Sequence, residues 1–188
     1  MSENTFDLGR VSQTIKESGS GIPPVEKWNP DFCGDIDMRI AKDGKWFYMG
    51  TPIGRPAMVK LFSTVLWFEE GKHYLKTPVE KIGIRVDDAP FLFTELEVES
   101  REGKQVLLFT STTGDVVEAG PEHALWVDEF EDSGEPSPYI NVRFGMKGLI
   151  HRNVFYQLVE LAEELDDNGA VKLVVSSHGE RFSLGEIA

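Results

Sequence analysis

The chain has 188 residues, of which 40% are hydrophobic and 27% charged, a globular composition rather than that of a disordered or fibrous polymer. Its 32 Asp and Glu outnumber 19 Lys and Arg to give a formal charge of −13, which argues against nucleic-acid binding, because affinity for phosphate backbones rests on cations that displace counterions. A single cysteine, Cys33, rules out an internal disulfide and the common zinc patterns. No apolar run approaches the roughly 20 residues of a membrane span, and the first residues lack a secretory leader's basic and apolar regions, so the expected compartment is the cytoplasm.

In chain order, Leu8, Val11 and Ile15 predict a short amphipathic helix, with Ser18-Gly-Ser-Gly21 as a joint. The prolines of Ile22–Pro30 predict an irregular, extended path pinned to the body by Trp28. Ile36, Met38 and Ile40 alternate with Asp35, Asp37 and Arg39 as in a half-buried strand. Asp43-Gly44 is a hairpin turn into the strand Trp46–Met49. Gly50–Gly54 breaks that strand, and Arg55-Pro56 opens a helix bearing Met58, Leu61, Phe62 and Val65. A hairpin around Gly71 follows.

From there to Phe144 the chain reads as strands, at Lys81–Val86, Phe91–Val98, Gln105–Thr110, Ala124–Phe130 and Tyr139–Phe144. Met146-Lys-Gly148 reads as a loop. Ile150, Val154, Leu158, Leu161 and Leu165 then predict a helix of about four turns, ended by Asn168-Gly169, before a hairpin about His178-Gly179. The expected fold is α+β and mostly antiparallel, in two lobes: residues 1–21 a joint, 22–80 the first lobe, 81–188 the second. A strand–loop–helix–hairpin unit recurs, at Trp46 to Gly71 and again at Ile140 to Gly179, as after a duplication.

Each copy sets an arginine, Arg55 or Arg152, near a helix start behind a glycine-containing loop. Free backbone N–H groups there favour a phosphate or carboxylate. The candidate ligand-binding residues are therefore Arg55, Thr51, Gly54, Tyr48 and Trp28 with Arg152, Arg143 and Lys147, at the seam of the lobes. Neither loop is a Walker loop or a dinucleotide fingerprint, and no cofactor or metal is expected. Asp35 and Asp37 share a strand face, with Cys33 just before them; the plainer reading is a solvated face countered by Arg39. The acidic run Asp128–Asp132 lacks the ligand order of a calcium loop.

At Pro23–Pro30, Cys33–Ile40, Asp43–Phe47, Gly50–Pro56 and Thr77–Glu80, and more loosely through Arg143-Phe-Gly145 and the Arg152 helix, the chain resembles the bacterial domain-of-unknown-function family numbered 1285. That resemblance implies two lobes with internal duplication, the second loosely pleckstrin-homology-like. It also implies a nucleotide-like ligand and a part in signal transduction, and brings no catalytic residues. The leading expectation is a non-enzymatic protein holding a small anionic ligand. The alternatives are a protein–protein interaction module and a hydrolase using Asp35, Asp37 or Cys33.

Overall fold

The strand pattern is set by six two-residue turns in which both residues have positive φ and the second is glycine: Met49-Gly50, Glu70-Gly71, Glu102-Gly103, Phe144-Gly145, Asn168-Gly169 and His178-Gly179. That geometry matches the twist of antiparallel strands and closes tight hairpins. The computed structural model describes residues 7–129 and 134–187. They fall into two units, Met1–Asp88 and Ala89–Ala188.

The first unit opens with α1 (Leu8–Glu17), whose N-terminus is capped by the Asp7 carboxylate accepting from the Gly9 N–H at 2.9 Å. The proline segment, expected to be irregular, holds one 3-10 turn at Val25–Lys27, with Trp28 half-buried at its end. Then come β1 (Phe32–Ile40), β2 (Trp46–Tyr48), β3 (Thr51–Pro52), α2 (Pro56–Ser63), β4 (Leu66–Glu69), β5 (Lys72–Lys76) and β6 (Lys81–Val86). They form one sheet in the order β3-β2-β1-β6-β5-β4, antiparallel except for the central pair β1 and β6. Because β6 pairs with both β1 and β5, the first unit runs to Asp88 rather than ending at Glu80. Its core draws Val11 and Ile15 from α1, Phe62 from α2, and Met38, Ile40, Leu66, Leu75 and Ile82 from the strands.

The second unit contains β7 (Phe91–Arg101), β8 (Lys104–Ser111), β9 (Val116–Glu118), β10 (Leu125–Glu129), β11 (Pro136–Arg143) and β12 (Met146–Ile150). Their order is β10-β11-β12-β7-β8-β9, again antiparallel except at the centre, where β12 and β7 run parallel. The two sheets therefore share one topology: two three-stranded meanders joined through the first and last strands. α3 (Arg152–Leu161) follows, then a small sheet β13-β14-β15 (Glu163–Asp167, Ala170–Ser177, Glu180–Ile187). This unit does not end on its helix, as a pleckstrin-homology-like lobe would.

In each unit a helix follows a strand and precedes a hairpin: α2 lies between β3 and the β4–β5 hairpin, and α3 between β12 and the β13–β14 hairpin. Two expectations are corrected. Met146–Gly148 is not a loop: Phe144-Gly145 makes the turn, and Lys147 lies on β12. The last helix stops at Leu161, because Asn168-Gly169 is a hairpin turn rather than a helix cap, and Leu165 pairs with Lys172 between β13 and β14.

Candidate functional site

Alternation along the strands divides the first unit's sheet into two faces. Leu66, Leu75 and Ile82 lie opposite one another in register and are all buried. The neighbouring row, Trp67, Tyr74, Gly83 and Asp35 across β4, β5, β6 and β1, points to the other side. Beside it run Phe47, Arg39 and Arg85. This second face is polar and aromatic. Arg39 lies over the Phe47 ring at 4.7 Å and Lys81 over the Tyr74 ring at 5.1 Å, while Phe32 meets Tyr74 edge-on at 5.8 Å. The Lys76 ammonium sits 3.5 Å from the centre of the Trp67 ring. Burial holds the pKa of Lys76 below the usual lysine value, with Glu69 opposing the shift.

A groove of about 350 Å³ opens on this sheet, lined by Asp35, Lys72, Tyr74, Gly83 and Arg85 among others. Gly83 makes it possible: a Cβ there would collide with the Asp35 carboxylate, which leans across the strand into that space. The charges around the groove are mostly compensated. Arg85 pairs with Asp37 at 2.7 Å, Arg39 with Asp87 at 2.5 Å, and Lys81 with Glu69 at 2.9 Å. Two are not: among the described residues neither the Asp35 carboxylate nor the Lys72 ammonium has a hydrogen-bond or ion-pair partner. Strand spacing puts the axes of β1 and β5 about 10 Å apart with β6 between them.

The second unit has a glycine at the matching topological position. Gly148, on its sixth strand, lies opposite Phe91 on its first, and a Cβ there would collide with the Phe93 ring. That row, Leu125, Ile140, Gly148 and Phe91, is built of buried apolar residues. One glycine notch is filled by a core aromatic; the other holds a carboxylate at the edge of an open groove.

The arginine loops are less assembled than expected. Arg55 is the exposed N-cap of α2, with its neighbour Gly54 also exposed; no side-chain capping bond forms there. Thr51 faces Tyr48 across the β2–β3 hairpin. Trp28 lies at the end of the 3-10 turn. In the second unit Arg152 begins α3 and reaches Glu135 at 3.9 Å, both well exposed. Lys147 lies 3.9 Å from the centre of the Tyr139 ring.

Arg143 is a structural cation. It pairs with Asp115 at 2.8 Å and stacks over Phe91 at 4.7 Å. Ser111 and Thr113 also donate to the Asp115 carboxylate, at 2.7 and 2.5 Å. Burial alone raises the pKa of Asp115, but the Thr113 hydroxyl, the Arg143 guanidinium and Ser111 together hold it below its usual value.

Among the hydrolase candidates, Asp37 is committed to Arg85, and the Cys33 thiol points to the Asp31 carbonyl at 3.3 Å. Among the described residues, no cluster of three or more His, Cys, Asp and Glu is placed to hold a metal, and no helix is long and apolar enough to cross a membrane. Residues 130–133, within and just after the acidic run, lie outside the described residues. Sequence reading reached Asp35 and missed Gly83, Lys72 and Tyr74. The available signal was the glycine inside Lys-Ile-Gly-Ile-Arg-Val, since a glycine within a strand marks a close approach.

Residues 23–89 match the model described as Domain of unknown function (DUF1285), N-terminal domain, and residues 90–184 match Protein of unknown function (DUF1285), C-terminal domain. No curated protein matches. A crystal structure of a DUF1285 family protein from Silicibacter pomeroyi DSS-3 is 47% identical, with a TM-score of 0.89, covering 98% of this chain and 97% of that one. Another, from Shewanella baltica OS155, is 26% identical with a TM-score of 0.52, covering 65% of this chain and 90% of that one. Family models thus span both units, and the chain belongs to the DUF1285 family.

Proposed function

We propose that this is a small-molecule-binding protein whose ligand lies in the groove over Gly83 and directs an anionic group toward Lys72 and Arg85. The observation that carries this reading is the contrast between the two glycine notches: the one under Phe93 is packed shut, and the one beside Asp35 stays open between an aromatic wall and unpaired charge. Groove-forming residues sit on paired strands, which hold a binding constellation more rigidly than loops do. The volume lies at the lower end of small-ligand sites, so the ligand is compact.

A thermal-shift screen with inorganic phosphate, simple carboxylates and nucleoside monophosphates tests this reading; the last arm addresses the nucleotide-like ligand that the family resemblance implies. A ligand at about 100 times its Kd stabilises the native state by about 2.7 kcal/mol, enough to read as a shift in Tm. At least one probe is expected to stabilise the wild type and to lose that effect in Lys72→Met and Gly83→Ala. Equal shifts in wild type and both variants contradict the proposal.

A further inference from the structure

Resting on the groove reading above, we infer that its ligand is a zwitterion, with an ammonium group received by Asp35 and a carboxylate or similar anion received by Lys72. Three carboxylates around this face, Asp37, Asp87 and Glu69, already have cations against them, and Arg39 and Arg85 in the row beside it each have a carboxylate. Among the described residues, Asp35 and Lys72 alone of the groove's charged side chains have no partner, and they stand on opposite sides of β6. An unpaired carboxylate on one wall disfavours a purely anionic guest, because a phosphate held near it meets like charge in a partly desolvated cleft. A purely cationic guest meets Lys72 and Arg85 in the same way. A molecule with both charges, separated so as to span the notch, satisfies both ends.

The spacing sets the size. The Asp35 carboxylate already leans over Gly83, and register sets Lys72 opposite Arg85, two residues along β6 from Gly83, so the gap to be bridged toward β5 is a diagonal of about 7–8 Å. That exceeds the charge separation of an α-amino acid and suits an ω-amino carboxylate with several methylenes between the charges. Those methylenes would lie against the Tyr74 ring, which forms the groove's apolar wall.

The test is a calorimetric titration of the full chain with free glycine, γ-aminobutyrate, δ-aminovalerate and ε-aminocaproate, beside butyrate, inorganic phosphate and butylamine as single-charge controls. The expected result is binding by one or more of the longer zwitterions, at least about tenfold tighter than free glycine or any control, and weakened about tenfold by Asp35→Asn and by Lys72→Met separately, since each removes one charge-assisted hydrogen bond. Both side chains are exposed and without partners, so the variants keep the fold. Binding of butyrate or phosphate as tightly as any zwitterion, unweakened or tightened by Asp35→Asn, overturns the zwitterion and leaves the groove standing. If no probe binds, or if neither variant changes binding, the zwitterion and the groove reading both fall.

Discussion

Arg143 and Asp115 show how this chain keeps charge inside. The guanidinium is covered by Phe91 on one side and anchored to a carboxylate that two hydroxyls also hold. Breaking such a pair strands the remaining charge. Arg143→Ala is therefore expected to cost about 3 kcal/mol by urea denaturation. Arg143→Lys should recover only part of that loss, because an ammonium cannot stack as a guanidinium does. The same site sets an acid limit. A carboxyl whose native pKa is depressed contributes stability that is complete above the unfolded chain's Asp range, about pH 4, and is lost as pH falls through the native value. Stability should thus fall on acidification, and in Asp115→Asn this part of the decline should vanish. A variant that declines as steeply as wild type between about pH 5 and about pH 3 would contradict that account.

At the scale of elements, the two central parallel pairs respond differently to the same change. In β12 an added methyl at Gly148 meets the fully buried Phe93 ring, which has no space to retreat, so Gly148→Ala is expected to cost about 1–3 kcal/mol. In β6 the neighbour of Gly83 is the end of an exposed aspartate that can swing away, so Gly83→Ala should change stability by less than about 0.5 kcal/mol while filling the groove floor. Denaturation midpoints of the two variants measure the contrast. The small sheet is tied to β8 by the Leu107 N–H, which donates to the buried Ser177 hydroxyl at 2.9 Å. Ser177→Ala leaves that N–H without an acceptor and should cost about 1–3 kcal/mol. Strand β13 carries four acidic side chains and is exposed along its whole length, which protects this edge from adding a foreign strand. Much of this level was legible in the residues. Lys81–Val86 is a strand with the bounds expected of it, and Arg55-Pro56 opens α2. What misled was a shared vocabulary: Asn168-Gly169 serves equally as a helix cap or a hairpin turn, and only the pairing of β13 with β14 decides between them.

Across the whole molecule, one strand order is used twice, β3-β2-β1-β6-β5-β4 and β9-β8-β7-β12-β11-β10. This equivalence was not visible in sequence, because it rests on parallel pairing between strands far apart in the chain. The candidate site was hidden for the same reason: Asp35, Lys72 and Gly83 are brought together by register, not by any local motif. The most direct test of the groove is an amide ¹H–¹⁵N shift map of the full chain titrated with ε-aminocaproate. The account predicts saturable shifts centred on residues 35–36, 72–74 and 83–86. Shifts centred instead on the Arg55 and Arg152 loops, or no saturable shifts at all, would contradict it.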